Sequence, residues 1–306
     1  MERAAGSRRV LAIDLGGTKV SAGVFDETGH LYAFRKAAVE KSRPEATCDQ
    51  IAEEASQCVQ APGLRWEQVE AAGVIVPGIY NPADGSAWAP NLWGDADVPI
   101  RAELVRRIPV PIRFDSDRAG YVLGEHWLGA ARGLTDVVFL AVGTGIGAGF
   151  LSGGRLIRGA GGVAGAVGWF ALTGEFKEAY RRVGCWEAEA AGPAVARRTG
   201  RESAEAVVEA ARQGDAGARA ALAEVAEYLA MGVANLVSAL NPQMVVLGGG
   251  LMQAGDLLLE PIRRAVPKWA QPRAAQQVRI EPAQLGEWAG LFGAAYLALS
   301  GEHVQP

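Results

Sequence analysis

The chain is poor in cysteine and histidine, with only 3 of each among its 306 residues. Three cysteines cannot build a disulfide framework across a chain of this length, so a reducing compartment is expected. An excess of basic residues is also missing, because 30 lysines and arginines face 34 aspartates and glutamates, for a formal net charge of −4. This balance argues against a nucleic-acid-binding surface, and no nucleic-acid partner is expected.

Long apolar runs are missing as well. Stretches without charge cover 137–154 and 159–174, but several glycines interrupt both. Neither supplies the roughly 20 apolar residues of a membrane-spanning helix. The first ten residues, MERAAGSRRV, lack the apolar core of a signal peptide and the pattern for myristoylation. We therefore expect a soluble, cytoplasmic protein with no membrane partner.

Glycine, by contrast, is abundant, with 40 residues in the chain, where average usage is about 7%. Without a collagen period, so much glycine indicates tight turns in which backbone approaches backbone or a ligand. Apolar residues make up 49% of the chain, enough to bury a large core. The length favours two domains.

The sequence predicts an internal duplication. Apolar runs at 10–15 and 136–142 each end in a glycine-rich turn, as expected of buried strands. GTKVSAG at 17–23 and GTGIGAG at 143–149 are identical at four of seven positions. Each segment predicts a β-hairpin, so the fold class predicted is a duplicated α/β architecture.

The rest of the pattern alternates strands with helices. Strands are predicted at 72–76, 110–114 and 244–247, and helices at about 44–60, 203–213, 216–240, 254–266 and 288–299. A further helix follows strand 110–114. Ser116 and Asp117 are both good N-cap residues, so either can open it.

The first glycine turn has the composition of a phosphate site. Asp14 ends a buried strand, and Gly16, Gly17, Thr18 and Lys19 follow it. Glycine N–H groups can close around phosphate oxygens, the threonine can add a hydroxyl, and the aspartate can hold Mg²⁺ directly or through water. The turn is neither a Walker P-loop nor a Rossmann fingerprint. An ordinary hairpin turn is the alternative.

Two later glycine clusters offer similar chemistry. Gly143, Thr144 and Gly145 form the second hairpin turn, and the run Gly248, Gly249, Gly250 follows strand 244–247 and precedes a helix. A strand end that opens onto a helix N-terminus is a usual nucleotide position in α/β folds. A tight strand-to-helix connection is the alternative for the glycine run.

Asp115, Ser116 and Asp117 form the candidate acid–base site. A carboxylate between a strand end and a helix start can accept the proton of a substrate hydroxyl. Phosphoryl transfer requires little else from a protein except positioning and charge neutralisation. An N-cap role is the alternative for either aspartate.

A series of ordered motifs resembles the ROK (repressor, open reading frame, kinase) family of sugar kinases, within the actin/hexokinase-like ATPase superfamily. The resemblance covers residues 9–299 and rests on DLGGTK at 14–19, VPG at 76–78, APNL at 89–92, LGE at 123–125, GTGIGAG at 143–149, GPA at 192–194, LNPQMVVLGGG at 240–250 and LGEWAGLFGAA at 285–295. It implies two actin-like (ribonuclease H-like) α/β domains, 1–115 plus 287–306 and 116–286, with the active site in a cleft between them.

The same resemblance implies a glucokinase-like enzyme that uses ATP and Mg²⁺ to phosphorylate a sugar or polyol hydroxyl. The two hairpins would bind phosphates and the glycines at 248–250 the adenosine. Asp117 aligns with the family's catalytic base, and Glu187 with a glutamate that binds sugar hydroxyls. Asn91 lies in the substrate-side loop. Family members are commonly dimers or tetramers, so a homodimer or homotetramer is expected.

The chain departs from the family at the substrate side. Ser116 stands where an asparagine is usual before the catalytic aspartate, and the Gly-Glu-x-Gly-His motif is replaced at 165–169, with Ala166 and Trp169 in place of the glutamate and histidine. One interpretation is a kinase for a different acceptor (hexose, amino sugar or cyclitol) whose ring packs on Trp169. The other is a weak kinase or a sugar and nucleotide sensor in which the tryptophan fills space.

The family's structural zinc is also expected to be absent. Of the three cysteines that join the missing histidine, only Cys185 remains, and the other two positions fall on Glu178 and Tyr180. One thiolate falls far short of a tetrahedral site. Only nine residues precede Val10, so the helix-turn-helix of the family's repressors is not expected either.

Overall fold

The computed structural model describes residues 8–300. Thirteen strands occur in this range: β1 Arg9–Leu15, β2 Lys19–Asp26, β3 Leu31–Ala38, β4 Val69–Val76, β5 Ile79–Asn81, β6 Ser86–Trp88, β7 Asp97–Val98, β8 Ile112–Ser116, β9 Val137–Val142, β10 Ile146–Ser152, β11 Arg155–Leu156, β12 Met244–Gly248 and β13 Arg279–Pro282. The helices are α1 Pro44–Val59, α2 Pro90–Trp93, α3 Ile100–Val105, α4 Asp117–Leu128, α5 Tyr180–Val183, α6 Cys185–Ala190, α7 Gly192–Thr199, α8 Ala204–Arg212, α9 Ala216–Leu240, α10 Gly255–Trp269, α11 Pro272–Gln277 and α12 Ala289–Ser300.

The chain folds into two compact units. The first contains the described residues up to Gly133, the segment Arg158–Val163 and the described residues from Glu287 onward. The second contains Leu134–Ile157 and Ala164–Gly286. The division drawn from the sequence starts its second domain at residue 116. In the structure, α4 packs along α12, so residues 116–133 belong with the first unit.

The first unit is built on a five-stranded mixed sheet in the order β3-β2-β1-β4-β8. Its first three strands are antiparallel neighbours, whereas β1, β4 and β8 run parallel. Helix α1 packs on this sheet through Ile51, Ala55 and Cys58, and α12 packs on β1 and β4. Because β1 and β8 flank β4 in parallel, their carboxyl ends meet at one edge of the sheet.

The second unit repeats this arrangement. Its sheet has the order β11-β10-β9-β12-β13, with β9 and β10 antiparallel and β9, β12 and β13 parallel. Strand β9 therefore corresponds to β1, β10 to β2 and β12 to β4. The duplicated α/β architecture predicted from the two glycine hairpins is confirmed.

Helix α9 is the central helix of the second unit. By length and composition alone its 25 residues could cross a membrane, but the helix is mostly buried. Leu222, Val225 and Leu229 are in the core, where α9 packs against α10. A helix that is apolar on most of its surface is typical of a buried core position, which α9 occupies here.

The start of α4 resolves the alternatives for the N-cap. Strand β8 continues through Ser116, whose hydroxyl accepts a hydrogen bond from the Ala119 N–H at 3.4 Å. Ser116 is therefore the N-cap, and Asp117 is the first residue of the helix. The capping role that the sequence left open for Asp117 is taken by its neighbour.

Candidate functional site

Two carboxylates come together at one edge of the first sheet. Asp14 is the second-last residue of β1, and Asp117 opens α4 directly after β8. They are close enough for their charges to interact. The sequence predicted a role for each residue separately, and the parallel order of β1, β4 and β8 places them side by side.

Both carboxyl groups bind protons more strongly than usual. Burial raises the pKa of Asp14 from 3.8 to about 7, repulsion by Asp117 adds to the rise, and Lys36 opposes it. Burial raises the pKa of Asp117 to about 6, while the charge and the backbone N–H of Arg118 oppose the rise. Lys36 lies near Asp14 because both residues are paired with Ser21, Asp14 from β1 and Lys36 from β3.

Helix α12 begins against the Asp14 carboxylate. A Cβ built on Gly290 would lie 2.4 Å from the Asp14 Oδ2 atom, so only glycine leaves room for this contact. The first turn of a helix carries partial positive charge, which stabilises the ionised form of a nearby carboxylate. Gly290 lies within the LGEWAGLFGAA match, which gave it no role, and the structure places it against Asp14.

The first hairpin turn stands next to Asp14. The Gly16 N–H donates to the Lys19 carbonyl at 2.8 Å, and Thr18 and Lys19 are exposed. Asn91, on α2, faces this turn, since a Cβ on Gly17 would lie 4.0 Å from the Asn91 Cβ. The structure therefore brings the predicted phosphate turn and the predicted substrate-side asparagine together.

Asp115 has a different environment from Asp117. It is buried, its Oδ2 accepts a hydrogen bond from Arg158 Nε at 2.7 Å, and its Oδ1 accepts from the Ser116 N–H at 2.8 Å. Burial raises the pKa of Asp115, and Arg158 opposes the rise. Both oxygens are engaged, so Asp115 is poorly suited to serve as the general base.

Sequence reasoning missed two further side chains on α4. Tyr121 lies one helical turn after Asp117, and its pKa is raised well above 10 by burial and by the charges of Asp117 and Asp14. Arg118 donates from Nη2 to the Gly78 carbonyl at 2.9 Å. The spacing of four residues from Asp117 is the signal that could have found Tyr121.

The second unit contains a cavity of about 790 Å³ beside the second hairpin turn. Gly143, Thr144 and Gly250 line it, and the Gly143 carbonyl accepts from the Gly192 N–H at 2.8 Å. Residues from α7, α8 and the turn after β12 complete the wall: Gly192, Pro193, Ala196, Glu202, Ser203, Ala204, Glu205, Val208, Glu209, Arg212, Leu251, Gln253 and Ala254. Of the other predicted nucleotide residues, Gly145, Gly248 and Gly249 adjoin the cavity in sequence and are not among its lining residues.

Glu187 and Trp169 are in the second unit but have unlike surroundings. The Glu187 carboxylate is partly buried against Gly145 and Gly168, and its Oε2 accepts from the Ile146 N–H at 2.7 Å. Burial raises its pKa. Trp169 ends a short 3₁₀ turn with 55% of its surface exposed. The tryptophan has an exposed aromatic face rather than a space-filling position.

The segment 178–185, which aligns with the family's zinc-binding cysteines, is held by hydrogen bonds and side-chain packing. Tyr180 is buried beside Cys185, and its hydroxyl donates to Glu189 Oε1 at 2.5 Å. Lys177 Nζ donates to the same oxygen at 2.7 Å, and the Cys185 sulfur accepts from the Leu172 N–H at 3.5 Å. Within residues 8–300, no group of three or more His, Cys, Asp or Glu side chains could hold a metal ion. The absence of zinc stays a prediction.

The pair Asp14 and Asp117 fits a magnesium ion that arrives with phosphates. Burial, and after it repulsion by Asp117, raises the pKa of Asp14, and a divalent cation would relieve the repulsion. Mg²⁺ usually takes one or two protein carboxylates and completes its octahedron with water and substrate phosphates. Asp14 is the residue that would hold it, directly or through water.

Comparison with known proteins gives consistent matches over nearly the whole chain. The model of the ROK family matches residues 10–300. The glucokinase of Streptomyces coelicolor is 32% identical over 94% of this chain and 96% of its own length. The structure of the ROK hexokinase from Thermus thermophilus covers 95% of this chain and 98% of its own, at 34% identity and a TM-score of 0.81. A ROK family glucokinase from Streptomyces griseus, solved in complex with glucose and AMPPNP, covers 96% of this chain and 100% of its own, at 30% identity and a TM-score of 0.75.

Proposed function

The chain belongs to the ROK family, and on that premise we propose that it is an ATP-dependent kinase that phosphorylates a hydroxyl of a sugar or sugar-like polyol. The observation that carries the proposal is the pairing of Asp117 with Asp14 at the edge of the first sheet. The match to glucokinases over nearly the full length supports it. The predicted fold class, two actin-like α/β domains, agrees with these relatives.

Asp117 serves as the general base. Its pKa of about 6 leaves it ionised at neutral pH, yet basic enough to accept the proton of a hydroxyl as that oxygen attacks the γ-phosphorus. The N-terminal position on α4 fixes the carboxylate, because the Arg118 N–H donates to its Oδ1 at 2.8 Å. Mg²⁺, held through Asp14, would supply charge neutralisation for the transferring phosphoryl group.

The donor side combines the cavity of the second unit with the two glycine turns. We assign the nucleoside to the cavity beside Gly250, with Gly248 and Gly249 shaping the strand end before it. The phosphates are assigned to the turn at 143–145 and the turn at 16–19, whose backbone N–H groups suit anionic oxygens.

The acceptor side differs from that of a typical glucose site. Ala166 and Trp169 supply no carboxylate or imidazole for sugar hydroxyls, and Glu187 already accepts one backbone hydrogen bond. The exposed face of Trp169 can pack on the apolar face of a ring, while Asn91 and Ser116 can bond hydroxyls. We propose a hexose, amino sugar or cyclitol as acceptor, in a cytoplasmic homodimer or homotetramer that does not bind nucleic acid.

The deciding experiment measures ADP release with MgATP and a panel of D-glucose, D-glucosamine, N-acetyl-D-glucosamine and myo-inositol. We expect turnover with at least one acceptor and a fall of at least 1,000-fold in Asp117→Asn, since general base catalysis and positioning are lost together. Binding of MgAMPPNP should remain. Asp95→Asn, at an exposed position outside the site, is the matched control and should keep full turnover.

Saturable binding of sugar or nucleotide without ADP release from any acceptor would favour the sensor interpretation. Full turnover in Asp117→Asn would show that the base is elsewhere. Either result contradicts the proposed roles.

A further inference from the structure

Arg158 reaches the catalytic edge of the first sheet from a distant part of the sequence. It follows β11 and begins the segment Arg158–Val163, which belongs to the first unit although the residues on both sides of it belong to the second. Its Nε atom lies 2.7 Å from Asp115 Oδ2. The partner residue is two positions before the proposed base, Asp117.

This ion pair is buried on the carboxylate side. Asp115 is 3% exposed, and its other oxygen accepts from the Ser116 N–H. Removing two charges from water is costly, and a buried pair recovers that cost only when its geometry is good and its remaining atoms are hydrogen-bonded. The Asp115 carboxylate meets both conditions, because one oxygen binds the guanidinium and the other binds the N–H of the helix cap.

The segment is anchored at a second point that is independent of the ion pair. Gly162, at φ +74°, lies so close to the Tyr80 carbonyl oxygen that a Cβ there would be 2.1 Å away. The Tyr80 ring stacks on Phe114, with centroids 5.6 Å apart and planes inclined by 19°. Phe114 directly precedes Asp115 in β8. The segment 158–163 is thus held at two points near the end of β8: Arg158 contacts Asp115, and Gly162 packs against the Tyr80 carbonyl.

We propose that Arg158 is a positioning residue for phosphoryl transfer: by pairing with Asp115 it holds the junction of β8 and α4 in the one geometry that aims Asp117 at the acceptor hydroxyl. The inference rests on the proposed kinase function. Arg158 does not touch the reacting atoms. It acts through Asp115 and Ser116, the last two residues of β8.

The test compares Arg158→Gln with the double variant Asp115→Asn/Arg158→Gln. Kinetics are measured with MgATP and whichever panel acceptor the native protein phosphorylates fastest. For Arg158→Gln we expect kcat to fall about tenfold or more while KM for ATP stays within about twofold, because the base is misaligned and ATP binding is not altered. The double variant should lose no more kcat than Arg158→Gln, since Arg158 acts only through Asp115. Arg158→Lys should recover part of kcat.

Arg35→Gln is the matched control. It removes another Arg Nε–carboxylate pair of the first unit, with Glu54, also at 2.7 Å. This control should keep kcat and KM. If Arg158→Gln behaves like Arg35→Gln, raises KM for ATP in step with its loss of kcat, or loses much less kcat than the double variant, the positioning role is wrong. Absence of turnover in the native protein would instead overturn the kinase function, and the positioning role with it.

Discussion

Asp14, Asp115 and Asp117 lie at one edge of the first sheet, yet their surroundings suit them to different roles. Asp14 and Asp117 lie close to each other with raised pKa values, whereas Asp115 is bound by Arg158 and a backbone N–H. The sequence identified all three, because each stands at the end of a predicted buried strand or directly after it. It could not identify Arg158, whose contact with Asp115 spans 43 residues and has no local pattern.

The raised pKa of Asp117 predicts the pH dependence of catalysis. The base must be ionised, so kcat should fall tenfold per pH unit below the pKa of about 6 and reach a plateau above it. Bound Mg²⁺ favours the ionised form of the Asp117 carboxyl group, so the midpoint of the kcat profile lies below the pKa of the metal-free protein. Rates of ADP release between pH 5 and 8 at saturating substrates measure this limb. A kcat that rises as the pH falls from 8 to 5 would contradict the assignment of Asp117 as the base.

Gly290 predicts a second effect at the scale of one residue. Gly290→Ala places a methyl group where the Asp14 carboxylate now lies, so the acid or the start of α12 must move. We expect at least a 100-fold loss of kcat/KM and a raised requirement for Mg²⁺, measured by magnesium titration of ADP release. Gly255→Ala is the matched control, because a Cβ at that helical glycine meets nothing within 4 Å. Equal activity of the two variants would contradict the role of Gly290.

Among the larger elements, those with a strong period were predictable. The apolar spacing at 44–60 predicted α1, and the two glycine hairpins predicted the pairing of β1 with β2 and of β9 with β10. The small sheet β5-β6-β7 was not predicted, since its strands have only two or three residues and lie in a stretch rich in Pro, Gly, Asn and Asp. Short strands carry too few positions for an alternating pattern to stand out.

The segment 158–163 yields a prediction at the scale of an element. Gly162→Ala keeps the Arg158–Asp115 charges, but the new methyl group would collide with the Tyr80 carbonyl and displace the segment. We expect a loss of kcat of about tenfold, with KM for ATP unchanged. Gly161→Ala is the matched control, since Gly161 also has a positive φ, +78°, but open space around its Cβ. Both substitutions incur similar backbone strain, so a difference in kcat isolates the position of the segment.

For the whole molecule, the raised pKa values predict how stability depends on pH. Asp14 and Asp117 titrate near 7 and 6 in the folded protein and near 3.8 when unfolded, so the folded state binds more protons between these values. The free energy of unfolding should therefore fall as pH rises from about 4 to 7 in EDTA. Asp14→Asn removes most of this slope and should raise Tm by a few degrees above pH 7, measured by differential scanning calorimetry. A Tm of Asp14→Asn below the native value throughout would contradict this prediction.

The return of α12 to the first unit has a consequence for biosynthesis. The ribosome completes residues 134–286, with the intervening segment 158–163, before it makes the helix that packs on β1, β4 and α4. Until α12 has been made, the surface of β1, β4 and α4 that it covers stays exposed, whereas the second unit already has its own core helices. The part of the protein that is translated first therefore cannot complete its core until the last helix has been made.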